Sequence, residues 1–304
     1  MKLYLECYPC LLTQALKTAK LIGLNKSETK AVVDHVMRLL LDDHTNITAP
    51  HITARLYQFI REEIYKGAES FDPYREIKRD TNRKAIKYYK TLTGIVERSS
   101  SPLQTAVKVA AAGNIIDFGA KAHGDIDIDH EINNIDNLEF QIFDFPALEN
   151  KLKTAKEILY IGDNAGEIVF DRILIAEIKK EYPEIDIVFA VREKPIINDV
   201  TLEDAEFAGM SDDATVISSG SIYPGTVLLE TSYEFQRLFS SADLIIAKGQ
   251  GNYETLSDVE KNNLYFLLRI KCDIVAEKIN AHAGFLVLWR KNDQLKLNGS
   301  QNSL

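Results

Sequence analysis

Asp163 and Asn164 stand side by side in Gly162-Asp163-Asn164-Ala165-Gly166-Glu167, and Asp199 follows Asn198 further along the chain. Two carboxylates and an amide oxygen are hard donors. They suit Mg²⁺ or Mn²⁺, ions that keep several waters and accept phosphate oxygens. Asp163 and Asp199 together offset a divalent charge and leave coordination positions open. Lys248, in Lys248-Gly249-Gln250-Gly251-Asn252, adds a cation beside glycines whose backbone donors a phosphate can approach. Arg192 offers a guanidinium for a phosphate or for orienting a carboxylate. The chemistry of such a set is displacement at phosphorus by water, with divalent-metal assistance. Each piece alone also has an ordinary structural reading. An Asp-Asn pair after a strand caps the next helix, Asp199 before Val200-Thr201 can do the same, and Lys248-Gly249 can be a solvated turn.

What joins these residues is where they fall relative to the elements that must position them. Short β-rich runs occur at 158–161, 185–191, 215–218, 244–247, 265–270 and 285–289, with helical patterns at 168–182, 202–208 and 229–239. This alternation predicts a three-layer α/β/α, Rossmann-like domain around a mainly parallel sheet. Ligands of such sheets bind at the carboxyl ends of the strands. The first run ends in the Asp163 segment, and the second in Arg192-Glu193-Lys194-Pro195 with Asn198-Asp199 close behind. The third ends in Ser218-Ser219-Gly220-Ser221, and the fourth in the Lys248 segment. Polar residues gathered at one set of strand ends favour a site over a series of unrelated caps.

The first half reads as helical. Residues 9–22 put Leu12, Ala15, Leu16 and Ala19 on one face, and Asn25 with Glu28 makes a capping pair for the next helix. Thr48-Ala49-Pro50 and Asp72-Pro73 open two more, the second predicted to run through Tyr89. Ser101-Pro102-Leu103-Gln104 opens a helix that reaches Gly113-Asn114-Ile115-Ile116-Asp117. The expected organisation is a helical region over 1–150, able to form two lobes, an α/β domain over 151–292, and a polar tail at 293–304 that frays.

Bulk properties narrow the partners. A net charge of -9 over 304 residues argues against nucleic acid, which needs clustered Lys and Arg, but leaves room for one small phosphorylated molecule. No signal peptide is apparent, no apolar run approaches membrane-spanning length, and only three cysteines are present, so a cytoplasmic location is expected and no membrane partner. Other motifs carry little. Asp125-Ile126-Asp127-Ile128-Asp129 lacks the glycine and terminal glutamate of an EF-hand loop. Gly249-Gln250-Gly251-Asn252-Tyr253-Glu254 ends in Glu where a dinucleotide fingerprint wants Gly or Ala. Neither a P-loop nor a GxSxG elbow is present, and Asn164-Ala165 after Asp163 breaks the DxDx[TV] pattern of phosphatases with a nucleophilic aspartate. A loop with Gly162 and Gly166 after the first strand leaves a second enzyme class open, an S-adenosylmethionine-dependent methyltransferase. A non-catalytic, metal-dependent phosphometabolite-binding protein is also open.

The segments around Asp163, Asn198-Asp199 and Lys248, with Ala112-Gly113-Asn114-Ile115-Ile116-Asp117 upstream, resemble the damage-control phosphatase family, long catalogued as a domain of unknown function (number 89). Their order and spacing are similar to the family's across roughly residues 1–290. The resemblance implies a metal (Mn²⁺, Co²⁺, Ni²⁺ or Mg²⁺) held by Asp163, Asn164 and Asp199. It also implies hydrolysis of small phosphometabolites, such as sugar phosphates or damaged cofactor precursors. Asn114, Asp117 and Lys248 are then implied around the phosphate, where the residue reading already sets Gly249 and Arg192, and Glu167 is implied near the metal as a support or a proton carrier. Cys7-Tyr8-Pro9-Cys10 is similar to the CxxC-bearing prokaryotic branch. Structural, metal and redox readings of this pair stay open, since no second CxxC exists and Cys272 with His282 completes a metal set poorly.

Overall fold

A computed structural model describes residues 1–42, 47–67, 71–114, 132 and 134–291. Helices α1 (Cys7–Leu21), α2 (Lys26–Leu41), α3 (Ala49–Phe59), α4 (Arg75–Ile86), α5 (Tyr89–Arg98) and α6 (Pro102–Ala112) come first. Then follow β1 (Phe140–Phe143), α7 (Phe145–Leu152), β2 (Glu157–Ile161), α8 (Glu167–Glu181), β3 (Asp186–Val191), α9 (Leu202–Ala208) and β4 (Thr215–Ser218). The chain closes with α10 (Tyr233–Ser241), β5 (Leu244–Lys248), α11 (Gly249–Leu256), β6 (Leu264–Arg269), α12 (Asp273–Ile279) and β7 (Leu286–Arg290).

The strands form one seven-stranded sheet in the order β1-β7-β6-β5-β2-β3-β4. Neighbours are parallel except β6 and β7, which run antiparallel. Alternation along β2 builds the two faces. Ile158 and Tyr160 enter a core with α5, α6 and α8, whereas Leu159 and Ile161 enter the opposite core with α10, α11 and α12. The chain leaves β2 toward β3 on one side and returns to β5 on the other. The crevice between β2 and β5 is therefore the topological switch point, where such sheets bind ligands.

The expected mainly parallel α/β architecture is the observed one, with instructive local differences. Helix α2 starts with the predicted Asn25–Glu28 capping box. The helix predicted from Asp72 through Tyr89 is two helices, turning at Lys87-Tyr88 without glycine or proline to mark the break. Residue 150 marks no change of packing. Strand β1 precedes it and pairs with β7, and α4 to α6 share the core of the sheet through Ala85, Leu92, Val96 and Leu103. Helices α1 to α3 have a separate core among the described residues, around Leu11, Val36, Ile52 and Leu56. Residues 293–304 lie outside the described residues. Among the described residues no helix is long and apolar enough to cross a membrane.

Candidate active site

Beyond β2 the chain turns at Gly162, where a Cβ would come within 2.6 Å of the Phe189 ring, so only glycine lets the turn pass over β3. The next residues are stitched to the loop after β3. Val200 N–H donates to the Asp163 carbonyl at 2.9 Å, Ala165 N–H to the Asn198 carbonyl at 2.9 Å, and Asn164 bridges Asp199. Gly166 N–H donates to Asn82 Oδ1 of α4 at 2.6 Å, and α8 then begins at Glu167. The Asp199 loop is fixed from its other side as well. Ile196 is 2% exposed inside the core of α1 to α3, and Ile197 takes a φ of 45°. A β-branched residue in the left-handed region is strained and persists only where its surroundings over-determine it.

These loops bring Asp163, Asn164, Glu167 and Asp199 together. Asn164 Nδ2 donates to Asp163 Oδ2 at 2.9 Å and to Glu167 Oε1 at 2.8 Å. Asn114, beyond α6, donates to Glu167 Oε2 and accepts the Arg269 N–H at 3.3 Å. Arg192 donates from Nε to Asp199 Oδ2 at 2.8 Å, from Nη1 to Thr226 Oγ1 at 3.1 Å, and from Nη2 to Asn252 Oδ1 at 3.1 Å. Asn252 Nδ2 in turn donates to the carbonyls of Gly162 and Lys248, at 3.1 and 2.7 Å. Lys248, fully buried, donates to Asp171 Oδ1 and to the Ala110 carbonyl at 2.8 Å, with Glu167 Oε2 at 3.9 Å. Tyr160 O–H donates to the same Asp171 oxygen at 2.7 Å.

Burial dominates the charges here. It raises the Asp163 carboxyl above its ordinary range, opposed by Lys271, Arg192 and Lys248. Glu167 is pushed up to about 8, first by burial and then by the Asp163 charge. Asp199 is pushed up to about 7, because burial and the Asp163 charge outweigh its pairing with Arg192.

A profile of the damage-control phosphatase ARMT1-like domain matches residues 3–287. The chain belongs to this family. It is 39% identical over 301 residues to the uncharacterized protein MJ0202 of Methanocaldococcus jannaschii, covering 96% of each chain. It is 34% identical to the damage-control phosphatase PH1575 of Pyrococcus horikoshii, covering 97% of this chain and all of that one. A damage-control phosphatase of Archaeoglobus fulgidus is 33% identical, over 94% of this chain and 98% of its own. The crystal structure of the Pyrococcus protein superposes with a TM-score of 0.83, covering 96% of this chain and 100% of that one.

In this member of the damage-control phosphatase family, Asp163, Asn164, Glu167, Asp199, Asn114 and Gly249 converge at the switch point, while Asp117 lies outside the described residues. The two expected phosphate cations are turned away from open space. Arg192 is spent on Asp199, Thr226 and Asn252, and Lys248 on Asp171 and Ala110, because each is sealed from water and needs acceptors there. Asn164 presents its amide nitrogen to both carboxylates, so serving as a metal ligand requires the amide to turn its oxygen inward. Among the described residues no three His, Cys, Asp or Glu side chains gather as a metal cage. The fit is to a hard divalent ion with two carboxylates, an amide and open positions. The Asp163 charge, which helps raise both Glu167 and Asp199, is the electrostatic counterpart of that fit. Sequence reasoning missed Lys271, which is exposed and whose charge leads those opposing the rise at Asp163. It also missed Asn252, Asp171 and Asn82. Lys271 sits after β6, the strand next to β5, and reading on to that strand end would have found it.

Proposed function

We propose that this protein hydrolyses phosphate monoesters of small metabolites, sugar phosphates or damaged phosphometabolites, with a divalent cation such as Mn²⁺, Co²⁺, Ni²⁺ or Mg²⁺. The observation that carries the reading is the meeting of Asp163, Asn164 and Asp199 at the β2/β5 switch point, within a chain of the damage-control phosphatase family. Asp163, Asn164 and Asp199 would hold the cation, which when bound neutralises phosphoryl oxygens and lowers the pKa of water. Arg192 keeps the Asp199 carboxylate in place and adds charge balance. Gly249, which opens α11, packs against the Asp163 carboxylate, and the N-terminus of that helix favours an anion there. Lys271 supplies an exposed cation on the same side. Glu167, titrating near neutral pH between Asn114 and Asn164, is the group to carry a proton to the leaving oxygen.

The test is phosphate release from p-nitrophenyl phosphate and a panel of sugar phosphates with each of these metals. We expect turnover that chelation abolishes and that Asp163→Ala loses. Full activity in Asp163→Ala would remove the proposed site. Metal-dependent thermal stabilisation by sugar phosphates without released phosphate would favour a binding protein instead.

A further inference from the structure

The residues that α4 buries are Lys78, Thr81, Asn82 and Ala85, three of them polar. Lysine and asparagine are seldom sealed from water unless a partner holds them there, yet Lys78 is 2% and Asn82 0% exposed. Thr81 serves its own helix, donating from Oγ1 to the Ile77 carbonyl at 2.7 Å. Lys78 and Asn82 lie one turn apart, and so on one face, and both reach beyond the helix.

Asn82 reaches the loop after β2. Its Oδ1 accepts the Gly166 N–H at 2.6 Å, and Gly166, at a φ of 83°, leads from Asn164 into α8 without a capping side chain. Lys78 reaches the loop after β3. Its Nζ donates to Asp204 Oδ2 at 2.8 Å and pairs with Asp72 at 3.0 Å. The same Asp204 oxygen accepts the Thr201 N–H at 2.9 Å and the Thr201 hydroxyl at 2.7 Å, the capping box that starts α9 just after Asp199. Both loops are therefore tied to one face of α4, besides being stitched to each other. We propose that Asn82 and Lys78 are positioning residues of the metal site. Asn82 fixes the loop of Asp163 and Asn164, Lys78 fixes that of Asp199, and α4 sets the spacing between them. The role toward the metal rests on the phosphatase reading, but the hold on the two loops does not.

Asn82 Nδ2 is buried with no hydrogen-bond partner among the described residues, so the oxygen is the part of this amide that the fold uses. Without that oxygen the Gly166 N–H is left dry, and the turn can satisfy it only by moving. Without the Lys78 ammonium, Asp204 is left charged and nearly sealed beside Thr201, and the start of α9 must open toward water. Arg75 and Glu203 also join α4 to α9, at 2.8 Å, but their side chains are 54% and 53% exposed, and such a pair holds little.

Two measurements on the full chain test this: amide hydrogen exchange of the metal-free protein, resolved by segment, and calorimetric titration with Mn²⁺. Asn82→Leu should speed exchange over 162–168 and leave 199–206 as in the parent, and Lys78→Met should do the reverse. Each should weaken Mn²⁺ binding about 10–100-fold, the loss that follows removal of a group supporting a metal ligand. Asn82→Asp keeps an oxygen for Gly166 and gives up only the unpaired nitrogen, so it should restore both readings to near the parent's. Arg75→Ala should match the parent in both. Should Lys78→Met fail to fold, Lys78→Met with Asp204→Asn removes the stranded charge, keeps an oxygen for Thr201 and reads the same loop. Exchange unchanged in both segments, or raised equally along the chain, overturns the proposal. Parent-like Mn²⁺ affinity in both variants does so too, as does an Asn82→Asp variant as impaired as Asn82→Leu. A parent that binds none of the four metals would instead sink the phosphatase reading, and the exchange pattern alone would then decide whether α4 holds the loops.

Discussion

Gly249 has a φ of 77°, in the left-handed region, and a Cβ built there would overlap Asp163 Oδ2. Alanine must therefore strain the start of α11 or push the carboxylate aside. Gly249→Ala should cut phosphate release about 100-fold, the order of loss that a misplacement of about 1 Å brings. The far-ultraviolet spectrum should stay native, and an unchanged kcat would mean that Asp163 is not needed where it stands. The carboxylates make a second prediction. Glu167 and Asp199 are raised from 4.5 and 3.8 to about 8 and about 7, so the folded state holds protons that the unfolded chain has released. The stability they contribute is present in acid and lost as pH rises through neutrality. The melting temperature of metal-free protein should fall from about pH 5 to about pH 8. Mn²⁺ should reverse the fall, and Glu167→Gln should flatten it. A melting temperature independent of pH in this window would contradict the raised values. The sequence made Asp163, Asn164 and Asp199 legible because short polar side chains at strand ends have little freedom in where they point. Lys248 and Arg192 were legible only as types. A long side chain can turn inward to a buried acceptor, and nothing local to Lys248 announces Asp171 on a different element.

Helix α8 carries two carboxylates one turn apart, Glu167 toward the site and Asp171 beneath it, with the Lys248 ammonium at the end of β5 between them. Asp171 Oδ2 is buried without a hydrogen-bond partner, so this ion pair is not fully satisfied. Removing one member leaves the other charged and dry. Asp171→Asn should therefore cost about 3–5 kcal/mol in denaturant unfolding, and an apolar pair, Lys248→Met with Asp171→Leu, should recover much of that. Equal losses in the single and double variants would mean that packing, not charge, dominates there. At this scale most of the fold was readable. The buried runs of β2, β3 and β5 are continuous apolar stretches bounded by polar ends, and α9 falls on its predicted residues. Strand β1 escaped because it is a half-buried four-residue edge without that pattern, and α11 because its glycines read as a turn.

The described residues form three cores, two against the sheet and one within α1 to α3, and Ile196 is where the third meets the candidate metal loop. Asp199 N–H donates to the Ile196 carbonyl at 3.1 Å, so the residue plugged into the helical core also anchors the turn that presents Asp199. No local pattern reveals this coupling, because Ile196 reads from sequence as a loop residue after Pro195 and its partners lie more than a hundred positions upstream. Truncating it should act in two ways. Ile196→Ala should lower stability by about 2–5 kcal/mol, as large-to-small changes in cores do. It should also weaken Mn²⁺ binding several-fold at temperatures where the protein remains folded, because the strained Ile197 turn loses the packing that holds it. Leu56→Ala separates the two effects. Leu56 is 1% exposed in the same core but belongs to α3 and not to the Asp199 loop, so its truncation should cost similar stability and leave metal affinity unchanged. Isothermal titration of both variants at matched folded fraction decides the matter. If both bind Mn²⁺ as the parent does, the loop is held by its own hydrogen bonds to the Asp163 segment and the helical core is indifferent to the site.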